Sequence, residues 1–253
     1  MNFPRPMGDA PRRAALFATC LVDLVAPQVA EATAALLRDA GLDVEVPLGQ
    51  TCCGQPWWTS GYPEEARRVA RRALDAFEDA GAVVVPSGSC AAMVRASYAR
   101  LFAGTDDEGR ARDLARRTHE LSSFFVDVLG TDGPGGRFEG RVAYHDGCHG
   151  LRELGLGRQA RRLLAGVEGL ELVEIDPPVA CCGFGGTFSL RLPGLAEAMA
   201  DDELARIEAA GADAVASGDP GCLLHLGGRA SRRGSALRFL HLAELLASAR
   251  GLR

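Results

Sequence analysis

Two adjacent cysteines, Cys52 and Cys53, stand in the stretch TCCG at residues 51–54, and the CCG triplet returns as Cys181, Cys182 and Gly183. Neighbouring cysteines are awkward packing residues and do not easily bond to each other. Two thiolates wanted at one point, twice, suggest soft-metal or redox chemistry. The other four cysteines complete a pattern: Cys20 and Cys90 flank the first pair, Cys148 and Cys222 the second. The gaps are 31 and 36 residues in the first set and 32 and 39 in the second. All eight cysteines therefore obey one repeated order, C…CC…C.

Thiols so far apart in sequence need elements that return the chain to one place. Segment for segment, the two halves carry the same elements. Amphipathic APQVAEATAALLRDAG follows Cys20, and GRQARRLLAGVEG follows Cys148. Short strands LDVEVP and LELVEI lead into each CCG. Helices EEARRVARRALDAFEDAG and LAEAMADDELARIEAAG come next, each closing on a glycine suited to a helix C-terminus. Strands AVVVPSGSC and ADAVASGDPGC follow, and the segments ELSSFFVDVL and LAELLASA supply a last helix. The reading is β-α-β-α-β-α twice, an α/β fold of two tandem pseudo-symmetric Rossmann-like repeats with parallel sheets. The repeats are expected over residues 13–130 and 140–253, with a Gly/Pro-rich linker at 131–139 and a flexible leader at 1–12. One βαβ step takes about 30 residues, so cysteines spaced by one step lie at the C-terminal ends of successive strands. That is where open α/β sheets bind ligands.

Four chemistries compete for the thiols. An iron–sulfur cluster takes about four thiolates and presents several iron atoms, which suits paired cysteines. Structural zinc normally uses C-x₂₋₄-C knuckles, and the chain has none. Thiol–disulfide exchange favours C-x-x-C and a single exposed pair. Buried cysteines can also serve simply as small apolar residues. Gly54 and Gly183, with Gly185 and Gly186, let backbone N–H groups turn toward an anionic centre, or else serve tight strand-to-helix turns.

Composition narrows the class further. The chain has 253 residues, 47% of them hydrophobic and 24% charged, with a net charge of −5. There is no basic footprint for nucleic acid. Every basic residue is an arginine. The stretch PRRAALFATCLVDLVA at 11–26 superficially resembles a twin-arginine signal, but its short apolar run is broken by Asp23, and GRVAYHDGCH repeats its layout in mid-chain. Both read as buried strands. No stretch is long enough to span a bilayer. A cytoplasmic protein is expected, in which cysteines bind metals or do redox work rather than form disulfides.

The duplicated motif, C-x₃₁-CC-x₃₆-C and C-x₃₂-CC-x₃₉-C, resembles the cysteine-rich CCG domain found in heterodisulfide reductase and in glycolate oxidase iron–sulfur subunits. CCGQPWWTSGY, CCGFGGTFSL and CLLHLGGR resemble one branch more closely, the lactate utilisation protein A family. The resemblance implies a 4Fe-4S iron–sulfur subunit, with one or two clusters per chain, of an L-lactate-oxidising complex. Lactate utilisation proteins B and C would be its partners, and electrons would pass from lactate to a downstream acceptor. It nominates Cys20, Cys52, Cys53, Cys90, Cys148, Cys181, Cys182 and Cys222 as ligands. The alternatives are a heterodisulfide-type thiol–disulfide reductase and a glycolate oxidase iron–sulfur subunit. The fuller motif ends in C-x-x-C, where this chain has Met93 and His225. A five-cysteine cluster is therefore not expected. Met93 reads as core packing, and His225 more as an ordinary helix histidine than as a substitute ligand.

Other residues near the motif invite two readings each. His145, Asp146 and His149 flank Cys148 and could tune a cluster by hydrogen bonds or move protons, or they could merely cap a helix. Trp57 and Trp58 could shield a cluster or meet a partner, with core packing favoured. His119 and His241 open the last helix of each copy and read as structural. No G-x-G-x-x-G follows a strand in the context a dinucleotide needs. No His base with an Arg clamp is present for oxidising lactate on this chain alone.

Overall fold

The computed structural model describes residues 11–176 and 181–252. The leader read at 1–12 lies outside them except for Pro11 and Arg12. Arg12 already joins the first sheet, its carbonyl accepting from Asp43 N at 2.9 Å.

Eight strands form two four-stranded sheets. Strands β1 (Arg13–Leu16), β2 (Asp43–Glu45), β3 (Val83–Val85) and β4 (Thr118–Glu120) lie in the order β2-β1-β3-β4. Strands β5 (Arg137–Tyr144), β6 (Glu168–Val173), β7 (Ala214–Ser217) and β8 (Arg238–His241) repeat it as β6-β5-β7-β8. Every pairing is parallel. The molecule is thus two tandem Rossmann-like units, as the cysteine spacing implies. Each unit has one strand more than the sequence reading allowed. The segments Thr-His-Glu and Arg-Phe-Leu-His are too short and too polar to announce a strand, and they form one because β3 and β7 present an open edge to pair with. Strand β5 begins at Arg137, inside the stretch read as linker. Arg137 pairs with Glu168 before a register shift leads to Gly140.

Alternate strand residues serve two cores. Ala14, Val84, Val142, Tyr144, Ala214 and Ala216 face a layer shared by both halves. That layer contains Leu36 and Leu37, Phe124 and Phe125, Leu163 and Leu164, and Leu242, Leu245 and Leu246. Their odd neighbours face outward: Ala15, Val83 and Val85 into one private core, Ala143 and Val215 into the other. Each large side chain fully buried in the shared layer contributes roughly 1.5–3 kcal/mol, which ties the two repeats together. Helices Pro27–Asp39 and Leu242–Arg250 pack against each other within it.

The outer helices form where their patterns predict. Helix Pro63–Ala76 starts with Pro at its first turn and Glu64 and Glu65 beside it, then buries Ala66, Ala70, Ala73 and Leu74 on one stripe. Helix Pro193–Ala209 buries Ala196, Ala200, Glu203, Leu204 and Ile207 at the same spacing. Glycine ends the second of these as expected: Gly211 adopts φ +70° and donates to Glu208 O at 3.0 Å. The first helix ends earlier, at Ala76. Phe77 turns into the core at 1% exposure and stops it before Gly81 is reached.

The strands missed in the sequence end in residues that cap the next helix. His241 Nδ1 accepts from Ala243 N at 3.1 Å while Glu244 accepts from His241 N at 3.0 Å, a reciprocal cap. In the first half Glu120 takes that place, accepting from Ser122 N at 2.8 Å and Ser123 N at 3.2 Å. His119 sits one residue earlier in β4, against the Phe124 ring. Burial pushes the Glu120 carboxyl up to about 7, against the pull of these donors. The unfolded chain releases this proton near 4.5, so the Glu120 contribution is fully present below that pH and is lost as pH rises through about 7. Glu120→Gln is therefore expected to stabilise the protein at pH 8 by roughly 1–3 kcal/mol and to change little at pH 4.5. Urea midpoints at the two pH values check this.

Candidate metal centre

Each cysteine follows the C-terminal end of a strand, directly or through the loop after it. Cys20 opens the helix Cys20–Val25 after β1, and Cys148 opens Cys148–Leu154 after β5. Cys90 and Cys222 fall in the first turns of helices Gly88–Ala92 and Pro220–Arg232, after β3 and β7. The pairs sit in the loops after β2 and β6. Strand order makes β2, β1 and β3 direct neighbours, and likewise β6, β5 and β7. Adjacent strands are about 4.8 Å apart, so short loops suffice for the sulfurs to meet. Strands β4 and β8 contribute none.

The sulfurs follow one another in contacting pairs, in the same order in both halves, and among the described residues three ligand atoms lie within 4.8 Å of one another only at His145, Cys182 and Cys222. Cys53 Sγ donates to Cys90 Sγ at 3.3 Å, and Cys182 Sγ to Cys222 Sγ at 3.0 Å. Thiols of Cys20 and Cys53 both turn toward Cys52, lowering it to about 3, helped by the Gly54 N–H. Cys148 and Cys182 do the same to Cys181, bringing it to about 2 with the Gly183 N–H. The donors themselves are raised: Cys20 and Cys148 by holding a proton against Cys52 and Cys181, then by burial. Each quartet thus carries a thiolate at its middle, already set in a small nest of donors. Gly54 N reaches Cys52 Sγ at 3.4 Å, and Phe184 N reaches Cys182 Sγ at 3.4 Å.

The glycine after each pair is required for two reasons at once. Gly54 and Gly183 adopt φ +89° and +86°, turning the N–H inward. A Cβ on Gly54 would stand 3.0 Å from Ala66 O, and one on Gly183 2.5 Å from Ala196 O. Both the nest and the tight turn onto the following helix are therefore real. Thr19, before Cys20, is the other strained position: φ +70° and ψ 159° are held by no other non-glycine among the described residues. Such backbone costs on the order of 1–3 kcal/mol.

The two quartets share one end of the molecule. Gly88 N donates to Gly218 O at 3.0 Å and Ser89 N to Asp219 Oδ2 at 2.7 Å, joining the loops that carry Cys90 and Cys222. The CCG loops also touch, Ser60 Oγ lying 2.7 Å from Thr187 Oγ1. Solvent access differs between the quartets. A cleft of ≈ 350 Å³ opens beside Cys20 and Cys52, rimmed by exposed Leu24 and Leu48. The second quartet lies under a narrower pocket of ≈ 50 Å³, lined partly by Gln55, Thr59 and Ser89 of the first half.

Residues singled out beside the motif separate into distinct roles. His145 is 2% exposed, and its Nδ1 donates to Glu203 Oε1 at 2.7 Å. One of its ring nitrogens and the sulfurs of Cys182 and Cys222 lie within 4.8 Å of one another. Burial opposes its charged form, but Cys222 and Glu203 outweigh burial and lift the ring to about 10. Asp146 is buried and held by the Arg161 guanidinium through contacts of 3.0 and 2.8 Å. His149 is half-buried and pairs with Glu153. Met93 is core, at 2% exposure. His225 bonds to the Ala196 carbonyl at 3.2 Å and stacks near Phe184, outside the Cys–His group. Trp57, expected to pack inside, is 44% exposed and meets the edge of Tyr62, because the five-residue helix Gln55–Thr59 buries no residue fully. Trp58 lies on the first private core under the Arg100 guanidinium.

Glu203 and Asp219 were not singled out from the sequence. Glu203 had a signal, a carboxylate on the buried stripe of its helix; Asp219 had another, the Asp-Pro start of a helix.

Soft thiolates gathered with backbone donors suit a metal or an iron–sulfur group. Two buried polar atoms agree: Thr19 Oγ1 beside the first quartet and His145 Nε2 beside the second have no hydrogen-bond partner of ordinary geometry among the described residues. Fold and site together define a tandem cysteine-rich-domain protein, and the family profile of the cysteine-rich domain (CCG) matches residues 14–95 and 142–227. Lactate utilization protein A of Geobacillus kaustophilus is 46% identical over 92% of this chain and 98% of its own length. Its counterpart in Anoxybacillus flavithermus is 44% identical over 91% of this chain and 97% of its own. The chain belongs to the lactate utilization protein A family. The crystal structure of a hypothetical protein from Helicobacter pylori shares the fold, with a TM-score of 0.65 at 11% identity. This chain is covered completely in that match and spans 52% of the other's length. No helix among the described residues is long and apolar enough to cross a membrane.

Gly183→Ala is expected to cost more stability than Gly54→Ala, because its Cβ would meet backbone oxygen at 2.5 Å rather than 3.0 Å. A loss of about 2 kcal/mol or more is expected for Gly183→Ala, read from denaturant midpoints.

Proposed function

We propose that this chain is the iron–sulfur electron-transfer subunit of an L-lactate oxidation complex, acting with lactate utilization proteins B and C. The observation that carries the reading is the convergence of all eight cysteines into two sulfur quartets of the same design. Cys20, Cys52, Cys53 and Cys90 would hold one 4Fe-4S cluster, and Cys148, Cys181, Cys182 and Cys222 a second. When bound, such a cluster accepts and releases single electrons. The chain supplies the rest. Cys52 and Cys181 are pre-set as thiolates, the Gly54, Gly183 and Phe184 N–H groups face sulfur, and the private cores exclude water from Cys53 and Cys182. The relatives named lactate utilization proteins support the substrate class. The joined loops of the two halves support transfer between neighbouring centres, and the open cleft beside Cys20 supports exchange with a partner.

The close sulfur pairs also favour a second reading, thiol–disulfide reduction by Cys53–Cys90 and Cys182–Cys222. Anaerobic purification separates the two. Iron with acid-labile sulfide and a brown colour bleached by dithionite is expected; metal-free protein with rapid disulfide turnover would favour the second reading. Cys52→Ser and Cys181→Ser should each remove the iron and sulfide of their own half. If neither changes the stoichiometry, the ligand assignment is wrong. Lactate oxidation should require the other subunits, and turnover by the purified chain with a dye acceptor would refute that.

A further inference from the structure

The two halves match closely at the cysteines but differ behind them. Three residues before Cys20 stands Phe17; three before Cys148 stands His145. On the helix that packs across, the buried stripe Ala66, Ala70, Ala73, Leu74 corresponds to Ala196, Ala200, Glu203, Leu204. An apolar pair in the first half, Phe17 and Ala73, is thus replaced in the second by His145 and Glu203, both about as deeply buried. Interiors of this kind favour the apolar version. A buried ionisable pair costs several kcal/mol in desolvation, and replacing one with packed hydrophobic groups is often neutral or stabilising.

The geometry says what the pair does. Glu203 Oε1 occupies Nδ1, leaving Nε2 buried without a hydrogen-bond partner of ordinary geometry, with the ring beside Cys182 and Cys222. Arg206 lies 3.4 Å from the far carboxylate oxygen of Glu203, a charge contact from outside that makes no hydrogen bond. A carboxylate behind one histidine nitrogen with the other directed at a metal position is the usual support of a histidine ligand. A ring nitrogen and two sulfurs within 4.8 Å of one another can close on one ion, since metal–nitrogen and metal–sulfur bonds are about 2.0–2.3 Å.

We propose that His145 Nε2 is a ligand of the metal centre in the second half, positioned by Glu203, so that this centre has mixed thiolate and imidazole ligation while the first has thiolates only. The inference rests on the iron–sulfur reading above. His225, the residue at the position of the missing motif cysteine, is not the histidine involved: its Nε2 is bonded to the Ala196 carbonyl, and it lies outside the group formed by His145, Cys182 and Cys222.

The test uses the whole chain, purified anaerobically and reconstituted with iron and sulfide, with natural-abundance or ¹⁵N-labelled histidine. Pulsed electron paramagnetic resonance of the dithionite-reduced protein should show a strong histidine nitrogen coupling that changes isotope with the label. The coupling should persist in Cys52→Ser, vanish in His145→Phe, and weaken in Glu203→Ala but not in Glu203→Gln. Should His145→Phe alone fail to fold, the double variant with Glu203→Ala restores the apolar pair of the first half and serves instead. Iron present without histidine coupling in the wild type, or coupling unchanged in His145→Phe, overturns the ligand. An unchanged coupling in Glu203→Ala overturns the positioning role. A wild type that takes up no iron overturns the parent reading, and this inference with it.

Discussion

Four sulfur atoms strung in contact along one rim are an unfavourable thing to build. Cys20 and Cys53 hold their protons against Cys52, and the thiolate at Cys52 is tolerated only because these neighbours and the Gly54 N–H donate to it. Much of the structure serves this constraint. Parallel strands bring three loops to one rim, and right-handed crossovers of about 30 residues deliver a cysteine to each. Gly54 and Gly183 sacrifice conformational freedom to turn an N–H inward, and the following helix comes so close that no side chain fits. Thr19 carries backbone strain at the same rim.

Duplication gives the constraint its second expression and makes the molecule one body. The helices between the sheets contribute to a common apolar layer, which neither half completes without the other. The same arrangement joins the two sulfur rims through Gly88, Ser89, Gly218 and Asp219. Within that symmetry the halves have diverged. One rim opens to solvent beside exposed leucines, while the other lies beneath residues of its sister half and has an ionisable pair behind it. Two sites of one design thus offer different surroundings to whatever they bind.

The repeat, the strand-helix alternation and the gathering of cysteines could be read directly, because each depends on periodicity along the chain. Elements that exist only through their neighbours could not. Thr-His-Glu and Arg-Phe-Leu-His have no strand pattern of their own and pair because β3 and β7 leave an edge. The helix at 63–76 stops where Phe77 finds a core, not at the glycine beyond. Trp57 looks like a core residue by type, yet its short helix leaves it at the surface.

For the site itself the division is similar. Eight cysteines in two equal sets, each pair followed by glycine, are properties of the sequence, and they determined that sulfur would be collected twice at strand ends. Which atoms stand behind the sulfur was decided by packing across the fold. His145 and Glu203 are 58 residues apart; His145 stands out only as a neighbour of Cys148, and Glu203 reads as an ordinary residue on its helix. Only when β5 and the helix Pro193–Ala209 close on one interior do they become a buried pair, because the desolvation that makes such a pair costly does not exist until water has been excluded from both.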